Sequence, residues 1–166
     1  MNTDNSEFVL YKSFTDKGSV YVMSGLDKNK PDYEDLLSIA CILAENGKTV
    51  HILSPLHYKD PKYNNVYGSL IGTEYYRKCP DLLIDGEFCE YESYERPFEM
   101  ERIERMVARG SKQSSQIVID VRDSSATKKV VYDRIKRLKA QKTFKGILSN
   151  VWIYNGSTVE IVYKNK

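Results

Sequence analysis

A chain of 166 residues, 41% hydrophobic and 29% charged, with 9 glycines and 5 prolines, has the make-up of one ordinary globular domain that needs no disulfide or metal staple to hold a core. No apolar run approaches the roughly 20 residues of a bilayer span, and Met1 to Glu7 is polar, without a signal-peptide core, so spanning and signal-secreted classes are excluded. A net charge of +2 is too small to mark a nucleic-acid binder by its total.

In chain order, Phe8 to Lys12 and Val20 to Met23 read as short strands, each a β-branched, aromatic or aliphatic run ended by turn formers. A long helix follows: Pro31-Asp32 start it, Leu36, Leu37, Ala40, Leu43 and Ala44 form its apolar stripe, and Asn46-Gly47 stop it. Thr49 to Leu53 is a buried strand. From Leu56 to Lys78 the periodicity fails while tyrosines accumulate, which predicts a long ordered loop with a short strand near Leu70. Asp81 to Ile84 and Glu87 to Glu92 flank Asp85-Gly86, a strong two-residue hairpin signal. Pro97 to Arg109 is a helix closed by Gly110, Gln116 to Val121 a strand, and Ser124 or Ser125 caps a basic helix reaching Ala140. Val151 to Tyr154 and Thr158 to Tyr163 form a last hairpin about Asn155-Gly156. The expected fold is α/β, a single domain over 1–166 with a central mixed sheet flanked by three helices in the order ββαβββαβαββ, its core at 32–121 and a basic helix and hairpin at 124–163.

Charge is segregated along this string. Between Asp85 and Glu104 eight acids face only Arg96 and Arg102; between Lys128 and Lys145 eight bases face only Asp133. Along the basic helix Lys129, Lys136 and Lys139 fall on one stripe with Arg134 and Arg137 beside it, a phosphate track opposite the apolar Val131, Ile135 and Leu138; a solvated helix face is the plainer reading. Cys41, Cys79 and Cys89 are odd in number and lack C-x-x-C spacing, which points to free thiols acting as small apolar residues in a reducing, cytoplasmic setting. His51 lies in an apolar strand and reads as a core residue, whereas His57 in the tyrosine-rich loop is a weaker acid–base candidate.

A turn centred on Asp85-Gly86 places Asp81 opposite Glu90, so Asp81, Glu90 and Glu92 are expected on one face. Three neighbouring carboxylates need an offset. A hard divalent cation, Mg²⁺ or Mn²⁺, takes carboxylate oxygens and can activate water near a phosphate; pairing with Arg77, Lys78 or Arg96, or plain solvation, is the alternative.

Pro80-Asp81, then Glu90-Tyr91-Glu92, set between helices and strands from Asp32 to Val121, resembles the core of the PD-(D/E)xK restriction-endonuclease-like nucleases. The wider run adds Ile39-Ala40, Leu43-Ala44, Gly47, Val50 and Leu53, then Pro80 to Gly86, Glu90 to Ser93, Lys112 to Ser115 and Ile117 to Asp120. It is similar to the nuclease toxin domains at the C-termini of CdiA-type contact-dependent growth inhibition proteins, relatives of which are also grouped with metal-independent RNases. The resemblance covers roughly Asp32 to Lys166. It implies metal-binding or acid–base roles for Asp81 and Glu90 and a polar role for Gln113 after the second core helix. Where those nucleases carry lysine, this chain has Glu92. That glutamate would then act as base or further ligand, Lys112 or Lys78 would supply the charge, or the domain would be inactive. The implied function is metal-assisted hydrolysis of phosphodiester bonds, of RNA or tRNA rather than DNA, with an immunity or other partner protein and no membrane. The alternatives are an inactive nuclease-fold module binding nucleic acid or protein, and an accessory protein of a mobile element that uses an exposed aromatic patch from Tyr58 to Tyr76. The chain's own Met1 favours a free-standing protein.

Overall fold

The computed structural model describes residues 7–94 and 98–165, and the chain forms two compact units, Met1–Phe88 and Cys89–Lys166. The expected helix start at Pro97 and the candidate partner Arg96 lie outside the described residues. Within these, the class is α/β with mixed strand pairing, as anticipated, but there are four helices instead of three and the element order is ββαβαββαβαββ.

In the first unit, β1 (Phe8–Ser13) pairs antiparallel with β2 (Ser19–Met23), β2 parallel with β3 (Thr49–Ile52), and β3 antiparallel with β4 (Leu82–Ile84). The parallel pair requires a crossover, and α1 (Tyr33–Glu45) provides it, burying Leu36, Ile39, Ala40, Leu43 and Ala44. Its end follows the sequence signal: Gly47 takes φ +95° and its amide donates to the Ala44 carbonyl at 3.0 Å, closing the last turn.

The segment expected to be an irregular loop contains α2 (Pro61–Tyr67) and a single 3₁₀ turn at Gly68–Leu70. Asp60 caps α2 by accepting from the Lys62 amide at 2.9 Å, with Pro61 in the first helical position. Seven residues give fewer than two turns, too short for a period to register. Tyr63 and Tyr67 stack at 5.1 Å and are fully buried. Their hydroxyls donate to the carbonyls of Lys78 at 3.1 Å and Ser54 at 2.8 Å. These two rings are core and take no part in the aromatic patch suggested from Tyr58 to Tyr76, of which Tyr76 is exposed and Tyr58 and Tyr75 are half-buried.

In the second unit, β5 (Glu87–Glu92, from Cys89 onward) runs parallel to β6 (Gln116–Asp120), which runs parallel to β7 (Asn150–Tyr154); β8 (Val159–Lys164) returns antiparallel. The crossovers are α3 (Glu101–Gly110) and α4 (Lys128–Ala140). Ile103, Met106 and Val107 of α3 and Val131, Ile135 and Leu138 of α4 share one core with Ile117, Ile119, Val151 and Ile153. Thr127, not Ser124 or Ser125, caps α4, accepting from the Val130 amide at 3.2 Å. Ser124 is engaged earlier, donating to the Val121 carbonyl at 2.6 Å in a local turn. No helix among the described residues is long and apolar enough to cross a membrane.

Candidate functional site

The Asp85-Gly86 turn forms as its sequence dictates. Both residues have positive φ, +49° and +83°, the combination that a two-residue type I′ connection requires. Asp85 ties the turn to β3: its amide donates to the Thr49 carbonyl and its carboxylate accepts from the Thr49 amide, each at 2.8 Å, while Lys48 Nζ lies 3.3 Å from Asp85 Oδ2.

Asp81 enters just before β4, where its carbonyl accepts from the Leu53 amide at 2.9 Å. Its side chain is 12% exposed, and Oδ1 lies 3.8 Å from Lys30 Nζ. Lys30 Nζ also lies 3.7 Å from Asp32 Oδ2. This lysine is set by the bend before α1: Asp27 accepts from the Asn29 amide through its side chain and from the Lys30 amide through its carbonyl, and the Lys30 carbonyl accepts from the Tyr33 amide. Asp32 Oδ1 is buried without a hydrogen-bond partner among the described residues. Lys30 therefore supplies positive charge beside Asp81, and sequence reasoning, which considered only nearby cations, missed it. Arg77, one of those candidates, places its guanidinium 4.1 Å over the Tyr58 ring.

In the second unit Glu90 and Glu92 stand two apart on β5, in register with Ile117 and Ile119, so both face the side of the sheet that α3 and α4 cover. Glu90 Oε2 is shielded from solvent. Glu92 is 6% exposed and accepts a charge-assisted bond from Arg109 Nε at 2.5 Å; the same guanidinium donates through Nη2 to the Ser93 carbonyl at 2.9 Å. The approach depends on Gly110, where a Cβ would stand 3.0 Å from both Glu92 Cγ and Ile117 Cγ2. Among the described residues no three His, Cys, Asp or Glu side chains gather as a metal-holding group. Within the second unit the Glu92 carboxylate is turned to Arg109.

Gln113 follows α3, half-buried, its amide bonded to the Gly110 carbonyl at 2.9 Å, and Lys112 beside it is exposed. The opposite face of this sheet carries groups that the sequence did not announce. Tyr91 donates to Asp120 Oδ2 at 2.9 Å, Arg122 brackets both Asp120 oxygens between 2.6 and 3.1 Å, and Gln116 accepts from Trp152 Nε1 at 2.9 Å and Asn150 Nδ2 at 3.2 Å. Each polar atom in these contacts has a fixed partner, the pattern of a specified polar core.

The basic helix is less open than its composition suggests. Arg134 binds Glu104 at 3.2 Å with both side chains about four-fifths buried, Lys129 pairs with Asp133 at 3.1 Å, Lys128 with Glu160 at 3.0 Å, and Lys139 bonds the Tyr163 hydroxyl. Lys136 and Arg137 are exposed. His51 is packed between the rings of Phe8, edge-on at 4.7 Å, and Tyr21, stacked at 4.9 Å; burial pushes its pKa below the usual histidine value. His57 is exposed, its Nδ1 accepting from the Lys59 amide. None of the three cysteines is in a disulfide; Cys89 is buried, the Cys79 thiol donates to the Leu56 carbonyl at 3.2 Å, and burial pushes the Cys41 thiol up.

With these positions established, residues 78–159 match the model of the contact-dependent growth inhibition CdiA C-terminal domain. The stretch runs from the residue before Cys79 through β4, β5, α3, β6, α4 and β7 to the first residue of β8, so the chain is similar to CdiA-type C-terminal domains over most of its second unit and the hairpin leading into it. No curated protein and no solved structure matches.

Proposed function

We propose that this protein is a nuclease-like toxin-type domain that hydrolyses phosphodiester bonds, with RNA, and tRNA in particular, as substrate. The observation that carries the reading is the family match over residues 78–159, which falls on the same Pro80-Asp81 and Glu90-Tyr91-Glu92 motif that gives the sequence its nuclease resemblance. On this reading the core is restriction-endonuclease-like, and an immunity protein is the expected partner.

The reading assigns Asp81 and Glu90 as its acids. Both present carboxylate oxygens, the donor type that a hard divalent cation takes, and Asp81 is mostly buried while one Glu90 oxygen is shielded from water. In donor chemistry each carboxylate suits Mg²⁺ or Mn²⁺. Such an ion would polarise a phosphoryl oxygen and lower the pKa of a bound water. Lys30 takes over part of what the motif lysine does elsewhere, since its ammonium stands beside Asp81 where negative charge has to be balanced. Glu92 serves by fixing Arg109, and Gln113 by positioning a substrate group. Lys112, Lys129, Arg134, Lys136, Arg137 and Lys139 are the assigned backbone contacts, all exposed except the partly buried Arg134.

The test is cleavage of tRNA, other RNA and duplex DNA by purified protein, with Mg²⁺ or Mn²⁺ and with chelator. Expected is metal-dependent cleavage of tRNA that Asp81→Asn and Glu90→Gln each abolish. Intact substrates under every condition, or cleavage indifferent to both substitutions, would overturn the assignment.

A further inference from the structure

The outer face of α3 holds a feature that neither the motif nor the family match assigns. A cleft of about 430 Å³ is lined by Ser93, Tyr94, Arg102, Arg105, Met106 and Arg109, within the roughly 300–1,000 Å³ of ordinary ligand sites. At 3.6 residues per turn, positions 102, 105 and 109 fall within about 60° of one another on the helix. Three guanidiniums therefore converge on one opening.

Their surroundings leave that charge available. Arg109 is oriented from both sides by Glu92 and the Ser93 carbonyl, yet its side chain remains 63% exposed. Arg105 is exposed, and Arg102 Nε is buried without a hydrogen-bond partner among the described residues. Of the two acids on the helix, Glu104 is turned to Arg134, while Glu101, one turn before Arg105, is exposed. A buried guanidinium N–H lacking an acceptor is costly, and planar guanidiniums bind phosphate oxygens through paired N–H donors. Tyr94 adds an aromatic wall, its ring set edge-on to Phe98 and its hydroxyl donating to the Arg122 carbonyl.

We propose that this cleft is a phosphate-binding subsite that seats the backbone of a single-stranded stretch of nucleic acid, with Arg102 and Arg105 as direct contacts and Arg109 held ready by Glu92. The inference rests on the nuclease-like reading for its ligand and deepens it: the glutamate standing where the motif expects lysine becomes the anchor of an arginine in a neighbouring strand-binding site.

The experiment measures binding of a short single-stranded RNA by fluorescence anisotropy across a salt series, in the Asp81→Asn background, with Arg102→Gln/Arg105→Gln, Arg105→Gln alone and Lys17→Gln as a distant surface control. Expected is a loss of about tenfold or more in the double variant, with the slope of log affinity against log salt falling by roughly 0.7 per lost phosphate contact; Arg105→Gln, at an exposed position, gives a smaller loss with the fold intact. Binding and slope unchanged in both variants overturn the cleft while leaving cleavage by the unsubstituted protein to stand. If that protein binds RNA without cleaving it and the double variant still loses binding, the cleft is supported and the hydrolytic reading fails. A background protein that binds no RNA overturns the subsite.

Discussion

Glu92→Lys, which puts a lysine where the nuclease motif that the sequence resembles carries one, tests how far the Glu92–Arg109 pair organises this end of α3. The substituted ammonium would occupy a position that is 6% exposed and would face Arg109 Nε in place of the carboxylate now 2.5 Å from it. Two like charges about 4 Å apart repel by about 4 kcal/mol at an effective dielectric of about 20. Because Arg109 is 63% exposed, solvent screening and side-chain movement remove roughly half of this. Desolvating the ammonium and losing the charge-assisted bond add about 1–3 kcal/mol. The expected total is about 3–5 kcal/mol of destabilisation, a fall on the order of 10 °C in Tm for a chain of this size, against about 1–2 kcal/mol for the nearly isosteric Glu92→Gln. Adding Arg109→Gln to Glu92→Lys removes the repulsion and should recover about 2 kcal/mol, a coupling that urea denaturation of the four proteins in a double-mutant cycle resolves. If Glu92→Lys unfolds within about 1 kcal/mol of the parent, or if Arg109→Gln recovers nothing, the pair does not organise this end of α3.

Lys30→Gln should lower phosphodiester cleavage on the order of 10²-fold, with a stability change within about 1 kcal/mol because the lysine is partly exposed; Lys30→Arg should retain much of the rate, which initial-rate assays beside thermal melts will show. His51 has a folded-state pKa held below its unfolded value of 6.5 by burial. The unfolded chain therefore binds the proton first as pH falls, and stability present above about pH 6.5 is lost progressively toward the lower folded pKa. In urea titrations at several pH values His51→Gln should flatten that slope, and an unchanged slope would assign it to other groups. Gly110→Ala should cost about 1–3 kcal/mol through overpacking, since the new methyl would meet Glu92 Cγ and Ile117 Cγ2 at 3.0 Å; chemical denaturation measures this directly.

Local signals in the sequence proved dependable where one stretch of chain decides its own conformation. The Asp85-Gly86 turn, the end of α1 at Gly47 and the Asn155-Gly156 hairpin follow from residues that tolerate positive φ or accept a backbone bond. The span of β5 was legible for the same reason, bounded by its turn and by an alternating pattern. α2 was hidden because Tyr63, Val66 and Tyr67 supply only one turn of periodicity, although Asp60-Pro61 carried a start signal that could have found it. Lys30 was invisible for a different reason. Its partner Asp81 is brought to it by the pairing of β3 with β4 and by the bend before α1, a tertiary consequence that no spacing rule contains.

The charge pattern teaches the sharper lesson. Read along the chain, the stretch holding α3 is acidic and that holding α4 is basic, which directs attention to α4 as the nucleic-acid surface. Folding sorts the same residues by helix face. Glu104 turns inward to Arg134 and Glu160 reaches Lys128, so part of the basic excess of α4 is balanced within the unit. On α3 those inward contacts leave Arg102, Arg105 and Arg109 together at a cleft. Counterion release depends on where cations can meet phosphates, not on the sum over a segment. Neutralising arginines on nominally acidic α3 should therefore weaken strand binding more per charge than neutralising the paired Lys129 or Arg134 of α4, and the reverse ranking in a salt-series binding assay would return the phosphate track to the basic helix.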